Sequence, residues 1–224
     1  MPNKTAVVVG ATGAVGRQLT PLLAASGEYR KVVVLHHRPT PFAGMAHIEE
    51  RVVDFAALRE VDVGPIDAVF CSIGTTQKAA GSTEAFQQVD RDIPVTLAKW
   101  AAAHKARVFT TISSIGANAR AGSVYLRTKG EMEERVAAAA LRAIYILRPS
   151  LLRAERPEVR PAEHYGNRAL EIIEPVMIGP LRKYRAVPTK TLASAMLACA
   201  KAAEPGVHIV ESDAILDLGA QSLP

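Results

Sequence analysis

An apolar run, Thr5–Val9, leads directly into Gly10-Ala11-Thr12-Gly13-Ala14-Val15-Gly16, and a helical stretch follows from about Ala14 to Ala25. Few folds accept glycines at this spacing between a strand and a helix. The first glycine permits a tight turn, the second leaves the backbone open to a pyrophosphate, and the third lets the helix pack close to the strand. The N–H groups and positive dipole of the helix start then form an anion site. As a bare pattern this is weak in a chain with 15 glycines. Its place after the first strand and before an apolar-periodic helix makes it specific.

Downstream, short β-rich runs alternate with helical stretches, which predicts βαβ units and a parallel sheet. The expected strands are Lys31–Leu35, Arg51–Val53, Ala68–Ser72, Arg107–Ile112, Ala143–Leu147 and Val207–Val210. The expected helices are Thr83–His104, Val124–Ala140 and Thr189–Ala203, with a short one over His164–Ile173. Between Arg153 and Glu163 the prolines Pro157 and Pro161 break the pattern and predict an exposed loop. The chain therefore reads as one α/β domain, 1–224: a three-layer, doubly wound parallel sheet of the Rossmann kind. Its small irregular C-terminal substrate region falls at residues 150–187.

Composition limits the alternatives. At 224 residues, 49% hydrophobic and 22% charged, the chain can bury a core without disulfides or a structural metal, and global disorder is excluded. No run approaches the ~18 apolar residues of a membrane span, so no membrane partner is expected. Met1-Pro2-Asn3-Lys4 makes a poor secretory signal. Cys71 and Cys199 sit in apolar settings and predict free buried thiols in a reducing cytoplasm. The net charge is +5, but the basic residues are scattered and aromatics make up only 5%. That argues against a nucleic-acid partner.

The second strand's end chooses between coenzymes, because an acid there binds ribose hydroxyls and an arginine accommodates a 2′-phosphate. It reads Leu35-His36-His37-Arg38, so Arg38 is the expected phosphate clamp and NADP(H) is expected over NAD(H). The two histidines make a poor metal site, since adjacent strand residues face opposite sides. No metal is expected. Tyr125 is the one tyrosine with a lysine four residues later, Lys129. On a helix the two share a face, and a cation beside a phenol suits it to acid/base work on a carbonyl or alcohol. The fifth strand ends Thr111-Ile112-Ser113-Ser114, at the edge where open α/β sheets place ligands. Ser114 is the expected hydrogen-bond donor to a substrate oxygen, and Ser113 points the other way. Glu131, Glu133 and Glu134 read as a solubilising face of the same helix.

These pieces resemble a family. Gly10–Gly16 with Arg17, Phe70–Thr76 (FCSIGTT), Val89–Asp92 (VDRD), Ser113–Gly116 (SSIG), Tyr125–Glu131 (YLRTKGE) and Arg148–Leu152 (RPSLL) follow one another as in the short-chain dehydrogenase/reductase superfamily. The likeness is to the atypical branch that includes the Tat-interacting-protein oxidoreductases and their bacterial relatives. It covers most of residues 4–152. The resemblance implies an NAD(P)-binding Rossmann fold with Gly10, Thr12, Gly13, Ala14 and Val15 at the pyrophosphate and Arg38 at the 2′-phosphate. It puts Asp54 near the adenine, and Ser72, Ile73 and Gly74 along the adenosine and ribose. Pro149, Ser150 and Leu151 would flank the nicotinamide, and Ser114, Tyr125 and Lys129 would be the catalytic set.

One departure stands out. Many relatives carry an asparagine where this chain has Asp90, and a carboxylate there is expected to pair with Arg91 or a helix neighbour. The chain is also short for a sugar-nucleotide epimerase. The resemblance thus implies an NADP(H)-dependent oxidoreductase with a small-molecule substrate, possible as a homodimer through the Tyr125 helix. The alternative is an NADPH-binding regulatory or interaction protein with little turnover, and isomerase or epimerase chemistry is a remoter option.

Overall fold

The computed structural model describes residues 3–37, 39–153 and 179–221. Strand β1 (Thr5–Val9) is buried throughout, as a continuous apolar run in a sheet covered on both faces should be. It pairs in parallel with β2 (Lys31–His36) on one side and β4 (Ala68–Cys71) on the other. The full order is β3 (Ile48–Val52), β2, β1, β4, β5 (Val108–Ile112), β6 (Ala143–Arg148), β9 (Gly206–Glu211), and every pairing is parallel. The chain thus winds outward from β1 to β3, then returns to β1's other edge. That reversal opens a crevice between the C-terminal ends of β1 and β4, the switch point where such sheets bind ligands.

Each sheet face has its own apolar layer. Val8, Phe70 and Leu147 pack with Leu19 and Leu23 of α1 (Gly16–Ala25) and with Leu192 and Met196 of α6 (Thr189–Ala202). Val7, Val69, Phe109 and Ile146 pack with Leu97 and Trp100 of α4 (Ile93–Ala103) and Met132 and Val136 of α5 (Val124–Ala137). The three-layer parallel architecture matches the expectation.

Several boundaries differ. Strand β3 runs over 48–52 rather than 51–53, its Glu49-Glu50-Arg51 charges tolerated because it is an edge strand. The long helix expected over 83–104 runs continuously over 83–103, but a π-helical turn (Gln88–Asp92) interrupts its α register between α3 (Thr83–Gln87) and α4. A short α2 (Gln77–Ala80) precedes them. An unexpected last helix, α7 (Ser212–Gln221), packs on α6. In the expected substrate region, β7 (Leu152–Arg153) pairs with β8 (Val187–Pro188). The helix expected over 164–173 lies outside the described residues.

Candidate active site

The glycine turn is built as its spacing requires. Gly10 has φ +88°, and a Cβ there would lie 2.6 Å from the Ile73 nitrogen and the Ser72 carbonyl carbon, so β1 and β4 leave the sheet in backbone contact. A Cβ on Gly16 would fall 2.1 Å from the Gly10 carbonyl oxygen, so only glycine lets α1 begin so close to the strand. Gly13 closes the turn by donating to the Gly10 carbonyl at 2.9 Å. Helix α1 carries no acidic side chain in its first turn and no capping side chain. Its N-terminal dipole end therefore fits an anionic group from outside.

A cleft of about 200 Å³ opens on this turn. It is lined by Gly10, Thr12 and Gly13 of the turn, by Ser72, Ile73 and Gly74 after β4, and by His36, His37 and Phe55. Both ring nitrogens of His36 are buried without a partner among the described residues. Ala14 is exposed and Val15 packs its side chain into the core, so each can serve a ligand only through its amide. Asp54 lines an adjoining, more apolar cavity of about 740 Å³ that shares His37 and Phe55 with the cleft. Arg38 lies outside the described residues.

Of the expected Ser–Tyr–Lys set, Ser114 follows the end of β5 and Lys129 reaches that end from α5. Ser114 is half-buried, its Oγ donating to the Ile115 carbonyl at 3.3 Å. Ser113 points the other way, as its place on an extended chain predicts: it is buried and its Oγ has no partner among the described residues. Pro149 meets the serine loop, accepting from the Ile115 N–H at 3.0 Å. Ser150 bonds the Arg185 carbonyl, and the exposed Leu151 accepts from the Val187 N–H. Tyr125, in the first turn of α5, stacks its ring on Phe86 at 5.9 Å.

Lys129 is 4% exposed, and its Nζ lies 2.7 Å from Asp90 Oδ1 and 3.4 Å from the Ile112 carbonyl oxygen. Asp90 therefore pairs with Lys129 on the neighbouring helix α5, and of the two expected partners, Arg91 or a helix neighbour, it is Arg91 that does not take the role. Arg91 instead bonds Asp92 and Glu131, each at 2.8 Å. The second Asp90 oxygen accepts from the Thr75 N–H at 2.8 Å. Thr75 and Phe86 were not singled out from the sequence; Thr75 lies inside the FCSIGTT segment, which was its only signal. The solubilising reading holds for exposed Glu134 but not for Glu133, which is 6% exposed and bonds Arg148 at 2.6 and 2.9 Å. Burial pushes the Cys71 thiol up to about 11, which suits a small core residue rather than a nucleophile.

A profile of proteins described as NAD(P)H-binding matches residues 10–202. The chain belongs to this NAD(P)H-binding family. Protein HTATIP2 of Rattus norvegicus is 31% identical to this NAD(P)H-binding protein over 234 residues, covering 99% of it and 92% of the rat protein. Protein FMP52-1, mitochondrial, of Scheffersomyces stipitis is 36% identical over 155 residues, covering 68% and 69% of the two chains. Among solved structures, MoeE5 in complex with UDP-glucose and NAD superposes with a TM-score of 0.67 at 16% identity, covering 97% of this chain and 81% of that one. A short-chain dehydrogenase/reductase family oxidoreductase from Burkholderia thailandensis superposes at 0.66 with 18% identity, covering 96% and 93%. At such identities the structures share the fold. The NAD(P)H-binding profile and the whole-length match to HTATIP2 bear out the expected likeness to the Tat-interacting-protein branch. Among the described residues no helix is long and apolar enough to cross a membrane.

Proposed function

We propose that this NAD(P)H-binding protein is an NADP(H)-dependent oxidoreductase acting on a small carbonyl or alcohol. One connection supports the reading best. Lys129, on the helix that carries Tyr125, shares the Asp90 carboxylate with the Thr75 amide, one residue past Gly74 on the cleft wall. The glycine cleft and the Tyr–Lys helix thus meet at one buried group.

The chain's groups fit a dinucleotide. Amides of Gly10, Thr12, Gly13, Ala14 and Val15 receive the pyrophosphate at the α1 dipole end. Ser72, Ile73 and Gly74 flank the adenosine and its ribose, with Asp54 on the adenine side. Pro149, Ser150 and Leu151 flank the nicotinamide. A nicotinamide coenzyme held there would supply hydride chemistry for the substrate carbon. Ser114 donates a hydrogen bond to the substrate oxygen. Tyr125 delivers the proton that this oxygen gains in reduction and takes it back in oxidation. Lys129, four residues along the same helix from Tyr125, offers its remaining N–H to the ribose.

The choice of NADP(H) draws on the sequence His36-His37-Arg38 at and after the end of β2, which carries no carboxylate. A phosphoryl oxygen would also give the His36 ring N–H the acceptor it lacks among the described residues. NADPH should bind at least about tenfold more tightly than NADH in a titration; equal affinity overturns that choice. Tyr125→Phe should cut turnover about a hundredfold or more while NADPH affinity stays within about threefold. Retained turnover overturns the proton role. The two free buried thiols suit a reducing cytoplasm.

A second reading is favoured by the tight Asp90–Lys129 pair, which holds the lysine's charge in place: a coenzyme-loaded regulatory or interaction protein with little turnover. Mixing protein, NADPH and a panel of small carbonyls, and following the nicotinamide absorbance, separates the two.

A further inference from the structure

Asp90 sits in the middle of the π-helical turn, where the Ile93 N–H reaches back five residues to the Gln88 carbonyl. Such a turn widens the helix and re-aims the side chains within it, and it recurs at functional sites. The re-aimed carboxylate is 1% exposed and binds two separate elements. One oxygen lies 2.7 Å from Lys129 Nζ on α5, and the other accepts from the Thr75 N–H at 2.8 Å in the loop after β4. A Cβ on Gly74 would sit 3.4 Å from the first oxygen, so the carboxylate is wedged against the cleft wall itself.

The chemistry needs an acid. A carboxylate offers two acceptor oxygens, whereas an amide offers one oxygen and one NH₂, which would face either the ammonium or the Thr75 N–H as a second donor. An ammonium has three donors. Asp90 takes one and the Ile112 carbonyl a second at 3.4 Å, which leaves the third for a ligand oxygen. Truncating one partner of a buried pair strands the other charge.

We propose that Asp90 is a positioning residue that makes the cleft wall and Lys129 respond together: a dinucleotide seated against Ile73 and Gly74 fixes Thr75, Thr75 fixes Asp90, and Asp90 fixes the ammonium. This deepens the coenzyme reading of the cleft and rests on it.

The test is a mutant cycle on NADPH affinity with Asp90→Asn, Lys129→Met and the double variant, read by calorimetric titration. Each single change should weaken binding about tenfold. The double should be no more than about threefold weaker than the worse single, rather than the hundredfold of independent sites. In Asp90→Asn the Thr75 amide should exchange at least about tenfold faster while the β4 amides of Val69–Cys71 keep their protection. In wild type, NADPH should slow exchange at Thr75; in Lys129→Met, which keeps an aliphatic stem, that slowing should vanish. Multiplicative losses, β4 and Thr75 loosening together, or undiminished NADPH protection in Lys129→Met each overturn the proposal, the last even if Asp90→Asn fails to fold. Wild-type protein that takes up no NADPH overturns the coenzyme reading itself and this inference with it. Wild type that binds NADPH with independent losses overturns this inference alone.

Discussion

Arg148, at the end of β6, is held from two directions. Glu133 of α5 binds it through both carboxylate oxygens at 2.6 and 2.9 Å, and Glu211 at the end of β9 binds it at 3.0 Å. The hydrogen bond to Glu133 is the main cause that holds the guanidinium above its ordinary range. Glu133 is buried and Glu211 is not, so Glu133 carries most of the energetic weight. Glu133→Gln should lower unfolding stability by about 1–2 kcal/mol in a denaturant titration, because Arg148 keeps its second partner. Glu134→Gln, one residue on and exposed, should stay within about 0.5 kcal/mol. The sequence could not separate these glutamates. Spacing places 131 and 134 three residues apart on a helix, but the side that meets the β6 terminus is a tertiary fact. Asp90 was equally opaque: its neighbour in sequence, Arg91, was the natural partner to expect, and only the π turn sends it to Lys129 instead.

At the scale of elements, two glycines bracket the candidate site with opposite demands. Gly130 follows Lys129 on α5, and a Cβ there would lie 2.1 Å from the Ala119 nitrogen and 2.2 Å from the Asn118 carbonyl carbon. The loop leaving Ser114 therefore crosses α5 in backbone contact. Gly130→Ala should push that loop away, costing at least about 3 kcal/mol in chemical denaturation, with the site's turnover falling before global unfolding. Gly122, just before α5, has open space around it and no positive φ. Gly122→Ala should be neutral or stabilise by up to about 1 kcal/mol through the unfolded chain. Strands and helices near the site were legible because their apolar periods are local. The π turn was not, since its hydrogen-bond register leaves the apolar pattern of 83–104 unbroken. The start of strand β3 is hidden by two charges, Glu49 and Glu50, and the expected pocket of 150–187 lies in large part outside the described residues.

The whole molecule joins two apolar layers through one parallel sheet, and each layer encloses a thiol. Cys71 lies in the layer under α4 and α5, Cys199 in the layer under α1 and α6. The doubly wound plan was readable from the first glycine turn onward, since βαβ alternation and a buried β1 leave little choice of topology. The chemical consequence of that burial is measurable. From an ordinary value of 9.0, burial pushes Cys71 up to about 11 and Cys199 up to about 12. Below pH 9 both thiols keep their protons folded or unfolded, so their contribution is fully present. Between pH 9 and about 11 the unfolded chain loses protons that the folded one retains, and stability falls with rising pH. Tyr29, raised by burial first and then by Glu28 and Asp67, adds to the loss above pH 10. The melting temperature should therefore decline from pH 9 to 10 in wild type, and the slope over that interval should flatten in Cys71→Ala/Cys199→Ala, whatever the absolute value of its melting temperature. An unchanged slope would show that the thiols ionise as readily in the fold as outside it, and that neither apolar layer shields its cysteine as the sheet arrangement requires.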